Sequence, residues 1–74
     1  MKITVKTLKG WEMDCEISSN DDVLVLMQQV EVKEGTSINR QKLSFQGQIL
    51  QQGNTISSYN IQEGSRIYLI SDLL

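Results

Sequence analysis

The sequence has no histidine and only one cysteine among its 74 residues. A single cysteine cannot form a disulfide within the chain, which fits a reducing compartment, so we expect a cytoplasmic and/or nuclear protein. A catalytic thiolate needs a base nearby, and zinc sites combine cysteine with histidine, so the composition argues against both kinds of site. The composition therefore favours a protein that performs no catalysis.

Long hydrophobic runs and a surplus of basic residues are also missing. The longest apolar run, residues 23–27, is far shorter than the roughly 20 residues of a membrane-spanning helix. Residues 1–6 alternate apolar and polar side chains and lack the apolar centre of a signal peptide. Seven Lys and Arg stand against nine Asp and Glu, for a formal net charge of −2, whereas nucleic-acid binders present a basic face. We expect neither membrane nor nucleic-acid binding.

The first third of the chain reads as a β-hairpin followed by a helix. Residues 1–6 and 12–17 alternate with period two, and Gly10 between them suits a turn that requires a positive φ angle. The polar faces carry lysines on one strand and acids on the other, which favours their pairing. Val23, Leu26, Met27 and Val30 then form one apolar helical stripe, with Asp22 as N-cap and Gly35 at the C-terminal end.

The rest of the chain reads as short strands and turns. Residues 41–45, 48–50 and 65–70 are strand-like, 46–47 form a turn, and 56–61 are too short to classify. In the last strand Ile67 and Leu69 point one way and Arg66, Tyr68 and Ile70 the other. The order of hairpin, helix and further strands predicts an α+β fold, one helix across a mixed sheet, in a single domain of residues 1–74 that is monomeric.

At this point the residues resemble ubiquitin from end to end without a gap. The matching positions are Met1, Ile3, Val5, Lys6, Thr7, Leu8 and Gly10; Lys33, Glu34 and Gly35; Leu43, Phe45, Gly47 and Leu50; and Ser57, Tyr59, Asn60, Ile61 and Gln62. The resemblance implies the β-grasp fold and partners that are proteins of the ubiquitin/proteasome system. It implies no cofactor and no small-molecule substrate.

The departures from ubiquitin indicate which kind of family member this is. Conjugated members end in Gly-Gly, whereas this sequence ends in Ser71, Asp72, Leu73 and Leu74, and Asp72 reverses the charge of a ubiquitin arginine. Most chain-forming lysines of ubiquitin are replaced, by Trp11, Met27, Gln29, Gln48 and Glu63. Met27 and Gln52 together replace a lysine and an aspartate that pair in ubiquitin, so neither charge is left unpaired.

The resemblance also implies a binding face on the sheet. Carried over by position, it comprises Leu8, Ser44 and Ile70, flanked by Lys6, Lys42, Gly47, Gln48, Ile49 and Tyr68. Because Ser44 replaces a central isoleucine, we expect weak binding to standard ubiquitin-binding helices and a patch shifted towards Leu8, Ile49, Tyr68 and Ile70. The alternative is scattered surface apolar residues. Trp11 is either a further partner anchor or a cover for its own hairpin.

Two remaining features have structural explanations. Cys15 is in phase with Met13 and Ile17, so we expect it in the core as a small apolar residue. Asp14, Glu16, Asp21 and Asp22 lack the spacing of a calcium loop, and a strand face plus a helix cap accounts for them. We therefore expect no catalytic, cofactor-binding or metal-binding residues.

The function predicted from these observations is noncovalent docking of a larger protein onto the ubiquitin/proteasome system through the sheet face of an N-terminal ubiquitin-like domain. One alternative is a covalent modifier whose Gly-Gly tail is absent from this sequence. Another is a free-standing decoy or inhibitor that occupies ubiquitin-handling enzymes without being processed.

Overall fold

A five-stranded mixed sheet with one α-helix packed on it makes up the computed structural model, which describes residues 1–71. The elements are β1 (Lys2–Thr7), β2 (Glu12–Glu16), α1 (Val23–Glu34), β3 (Gln41–Phe45), β4 (Gln48–Ile49) and β5 (Arg66–Ser71), with 3-10 helices at Ile38–Arg40 and Ile56–Tyr59. The strand order is β2-β1-β5-β3-β4. Strands β1 and β5 are parallel, and the other neighbours are antiparallel. This confirms the predicted α+β, β-grasp architecture.

The β1–β2 hairpin has the predicted turn and charge pairing. Gly10 in the turn has a φ of +86°, a left-handed conformation that is open to glycine at little cost. Across the strands, Lys2 Nζ lies 3.7 Å from Asp14 Oδ2 and Lys6 Nζ lies 3.8 Å from Glu12 Oε2. Because these side chains are largely exposed, each ion pair contributes only about 0–1 kcal/mol, and the apolar face of the hairpin supplies most of its stability.

The α1 helix begins and ends where the sequence predicts. Asp22 Oδ2 accepts a hydrogen bond of 2.8 Å from the backbone N–H of Leu24, which satisfies one of the free donors at the helix start. Gly35 ends the helix with a φ of +94°, and its N–H donates to the carbonyl of Glu31. The predicted apolar stripe is buried and packs against the sheet.

The core lies between α1 and the inner face of the sheet. Alternate residues of β1, β2, β3 and β5 point into it, including Ile3, Cys15 and Ile67, which have no exposed surface. The segment that the sequence leaves unclassified is the second 3-10 helix, and its Ile56 is buried in the same core. Tyr59 ends this helix, where its hydroxyl accepts hydrogen bonds from the Gln51 N–H and from Asn54 Nδ2, both at 2.9 Å.

Two α1 side chains join the helix to the outer edge of the sheet. Gln29 Nε2 donates to the backbone carbonyl of Glu16 at 2.8 Å, and Lys33 Nζ donates to that of Asp14 at 2.6 Å. An edge strand otherwise presents such carbonyls to other chains. The helix therefore both covers the inner face of β2 and occupies part of its free backbone.

Within residues 1–71 there is no helix of the length and apolarity that crossing a bilayer requires. The predictions for Asp72 and the last two residues lie outside the described part of the chain.

Candidate protein-binding face

The predicted binding residues include a row that runs across the outer face of the sheet, opposite the helix. Ser44 of β3 is aligned with Ile49 of β4 on one side and with Tyr68 of β5 on the other. Tyr68 is aligned in turn with Lys6 of β1, and Lys6 with Glu12 of β2. Side chains at directly opposed positions share one face, so one row crosses all five strands with Tyr68 at its centre.

A second row places an apolar residue beside a cation. Ile70 follows Tyr68 two residues later on β5, hence on the same face, and is aligned with Lys42 of β3. Exposure is 36% for Ile70, 43% for Tyr68, 45% for Ile49 and 72% for Leu8. Leu8 stands just past the end of β1. Four large apolar side chains thus remain accessible at or near one face.

The apolar residues of this face have basic neighbours on the sheet. Lys6 flanks Tyr68 but is engaged with Glu12. Lys42 lies beside Ile70, and Arg66 precedes Tyr68 by two residues on β5. The three ion pairs found between described residues involve neither Lys42 nor Arg66. Within the described part of the chain, both cations are therefore open to a partner that carries carboxylates.

The turn between β3 and β4 determines where Ile49 lies. Gln46 and Gly47 adopt φ angles of +50° and +81°, as expected of a two-residue hairpin turn with both central residues left-handed. This tight turn aligns Phe45 with Gln48 and Ser44 with Ile49. Gly47 and Gln48, both predicted flanking residues, are exposed at this end of the sheet.

Trp11 precedes β2 and belongs to neither of the rows that contain Tyr68 and Ile70. Its carbonyl accepts from the Thr7 N–H at 2.8 Å and its N–H donates to Thr7 Oγ1. It continues the phase of Met13 and Cys15, whose side chains are buried on the helix side. The tryptophan is still 47% exposed. The strand alternation therefore assigns Trp11 to the helix side and not to the face that carries Tyr68.

Comparison with known proteins agrees with this architecture. The model of the ubiquitin family matches residues 3–73. The chain belongs to the ubiquitin family.

Among ubiquitin-family relatives, ubiquitin-like protein 4A of Xenopus laevis is 39% identical over 70 residues, which are 95% of this chain and 47% of that protein. The chain thus spans about half the length of the ubiquitin-like protein 4A relatives that it matches. Ubiquitin-like protein 1 of Schizosaccharomyces pombe and ubiquitin-like protein NEDD8 of Dictyostelium discoideum are each 36% identical over 95% of the chain, and the match covers 90% and 91% of those proteins.

The lone cysteine of this ubiquitin-family domain lies in the core. Cys15 has no exposed surface, as its phase predicts. Burial raises the pKa of the Cys15 thiol, and the nearby Lys33 only partly offsets the rise. A raised pKa is the opposite of what a nucleophilic thiol needs. Among the described residues, no three His, Cys, Asp or Glu side chains are grouped as a metal site would require.

Sequence reasoning did not include Arg66 in the candidate binding face. It had already assigned Arg66 to the same side of β5 as Tyr68, and this alternation was the sequence signal that Arg66 shares the face. It also treated Glu12 only as a hairpin partner, although the register aligns Glu12 with Lys6 at the end of the Tyr68 row. The alignment of β5 between β1 and β3 was needed to see either relationship.

Proposed function

We propose that this ubiquitin-family chain is a noncovalent, non-catalytic docking domain that binds proteins of the ubiquitin/proteasome system through the outer face of its sheet. The observation that carries the proposal is the joint exposure of Ile49, Tyr68 and Ile70 on one face, beside the cations Lys42 and Arg66. Aromatic side chains surrounded by apolar and cationic groups are typical of interface hot spots. Within this proposal the domain acts as a monomer in the cytoplasm or nucleus.

Noncovalent docking is favoured over conjugation by substitutions within the sequence. Asp72 reverses the charge of a ubiquitin arginine, and most chain-forming lysines of ubiquitin are replaced. Conjugation is the second candidate, since the chain matches small ubiquitin-like proteins over 90% and 91% of their lengths. The decoy function also requires the binding face but predicts a different partner.

The proposal is tested by affinity capture from cell extract with three versions of the domain, each quantified by mass spectrometry. Wild type is compared with the double variant Tyr68→Ala/Ile70→Ala and with Val32→Ala, a matched control that removes an apolar side chain 85% exposed on the helix. We expect ubiquitin receptors, proteasome subunits, ligases or deubiquitinases to be captured by wild type and Val32→Ala but depleted at least tenfold by the double variant. Equal capture by all three versions would contradict the proposal.

The two alternatives are separated by a second measurement. The native gene product, tagged at its N-terminus, is recovered from cells under denaturing conditions and its mass determined. Covalent adducts of higher mass would replace the docking proposal by conjugation. Tight binding that inhibits an activating enzyme or a deubiquitinase, without processing of the domain, would identify a decoy.

A further inference from the structure

A small residue stands between two large ones at the centre of the binding face. Ser44 is aligned with Ile49 on one side and Tyr68 on the other. Neighbouring strands lie about 4.8 Å apart, so the backbones that carry Ile49 and Tyr68 are separated by roughly 9.6 Å. Ser44 contributes only a hydroxymethyl group at the position between them. The three residues therefore form a slot, with Ser44 as the floor and Ile49 and Tyr68 as the walls.

We propose that this slot receives one aromatic side chain of an extended partner segment that carries a carboxylate two residues before and two residues after that aromatic. The inference deepens the proposed docking function, on which it rests, by naming the chemistry of the partner. Ser44 is then a specificity-determining residue, because its small size creates the space.

The walls of the slot favour an aromatic occupant. Ile49 and Tyr68 are each more than 40% exposed, so both present apolar surface for a partner to cover. Two aromatic rings in contact prefer offset or edge-to-face geometry at centroid distances of about 4.5–7 Å, and the small side chain of Ser44 beside Tyr68 favours such a contact. The Ser44 hydroxyl on the floor is a polar group that a tyrosine or tryptophan is able to hydrogen-bond.

The charges around the slot favour flanking carboxylates. Lys42 lies two residues from Ser44 along β3, on one side of the slot, and Arg66 lies two residues from Tyr68 along β5, on the other side. Because β3 and β5 are antiparallel, the two cations fall on opposite sides of the row. An extended chain that follows the strands rises about 6.6 Å per two residues, so acids at positions −2 and +2 from the aromatic match this separation.

The nearest acids on this face do not oppose such a partner. Glu12 stands at the far end of the row and is paired with Lys6, and Asp14 on β2 is paired with Lys2. Both belong to the edge strand β2, and β1 separates that strand from Tyr68. Among residues 1–71, Lys42 and Arg66 are therefore the charges next to the slot that have no ion-pair partner.

The inference is tested by NMR titration of the 15N-labelled domain with a synthetic nine-residue peptide, Ser-Gly-Glu-Ser-Trp-Ser-Glu-Gly-Ser. Two control peptides replace its Trp by Ala or both Glu by Lys. We expect the first peptide to shift the amide signals of residues 42–49 and 66–70, and each control peptide to bind at least tenfold more weakly. Ser44→Ile fills the slot and is expected to weaken the first peptide at least tenfold.

Thr4→Ile serves as the matched variant. It adds an apolar side chain on the same face, in the neighbouring row between Asp14 and Arg66, and is expected to leave peptide affinity within twofold of wild type. Equal binding to wild type and Ser44→Ile would overturn the slot, as would the absence of any shift at residues 42–49. The capture experiment with Tyr68→Ala/Ile70→Ala tests the whole face, whereas Ser44→Ile and the peptides test the slot alone, so capture that is lost in the double variant supports docking even if the peptide does not bind.

Discussion

The side-chain amide of Gln52 lies against the thioether of Met27, with Nε2 and Sδ 3.6 Å apart. Met27 is 5% exposed, and its backbone carbonyl accepts a hydrogen bond of 2.9 Å from Gln41 Nε2. At the positions of Met27 and Gln52, ubiquitin has a lysine and an aspartate. The structure shows that their replacements still meet, as an uncharged contact.

This contact predicts that substitutions at Met27 and Gln52 are coupled in a double-mutant cycle. Met27→Lys buries an ammonium group without a counter-ion, and we expect it to lower the free energy of unfolding by about 3–5 kcal/mol. Gln52→Asp alone, at an exposed position, should change stability by less than about 1 kcal/mol. Combining them should recover a large part of the loss, because the charges then pair. Urea unfolding of all four proteins measures the coupling, and additive effects would show that the side chains do not meet.

Ser44→Ile should change partner preference at the sheet face as well as fill the slot. An added isoleucine side chain contributes about 1.5–3 kcal/mol when a partner fully buries it, which corresponds to about tenfold to hundredfold in affinity. We expect the variant to bind a standard ubiquitin-binding helix that much more tightly than wild type does. Isothermal titration with that helix measures the gain, and Thr4→Ile is the control that should show none.

The buried thiol of Cys15 predicts slow chemical labelling. Because the side chain has no exposed surface and burial raises the pKa of its thiol, iodoacetamide should react with native protein only through opening of the fold. We expect labelling at neutral pH to be at least a hundredfold slower than in 8 M urea and to accelerate as subdenaturing urea is added. A native rate equal to that of the unfolded chain would place Cys15 at the surface.

The N-terminal ammonium predicts a weak dependence of stability on alkaline pH. A hydrogen bond of 2.8 Å to Glu16 raises the pKa of the Met1 ammonium above its ordinary value, and slight desolvation opposes the rise. A raised native pKa stabilises the fold fully at pH values below the unfolded pKa of about 8. That stabilisation is lost as pH rises through the higher native value. We expect Glu16→Gln to reduce this loss between pH 7 and 10, measured by urea unfolding at each pH.

The element types were predictable because local chemistry and burial agree along most of the chain. The hairpin has Gly10 at its turn, and α1 has Asp22 and Gly35 at its ends, so turn chemistry, capping and apolar period all point to the same structure. The 3-10 helix at Ile56–Tyr59 was not predictable in the same way. It is too short to show a period, and its first N–H groups, those of Ile56 and Ser57, donate to carbonyls of residues 21 and 19, far away in the sequence.

The candidate face was predictable only in part. Phase along β5 places Tyr68 and Ile70 together, but their neighbours on other strands depend on the order β2-β1-β5-β3-β4. No local pattern shows that β5 enters between β1 and β3. The phase of Trp11 follows from its alternation with Met13 and Cys15, and its hydrogen bonds to Thr7 fix it at the end of the hairpin. Residue identities therefore indicated the members of the face, and strand register supplied their arrangement.

The parallel pairing of β1 with β5 has a consequence for synthesis of the chain. The first strand of this domain to be translated has the last described strand as its central neighbour, and these strands are separated by almost the whole sequence. The hairpin of β1 and β2 can form early, but its inner neighbour arrives only after Arg66–Ser71 has been translated. Translation proceeds at about 5–20 residues per second, so one side of β1 in the nascent hairpin stays unpaired for several seconds. The sheet can therefore be completed only after β5 has been translated.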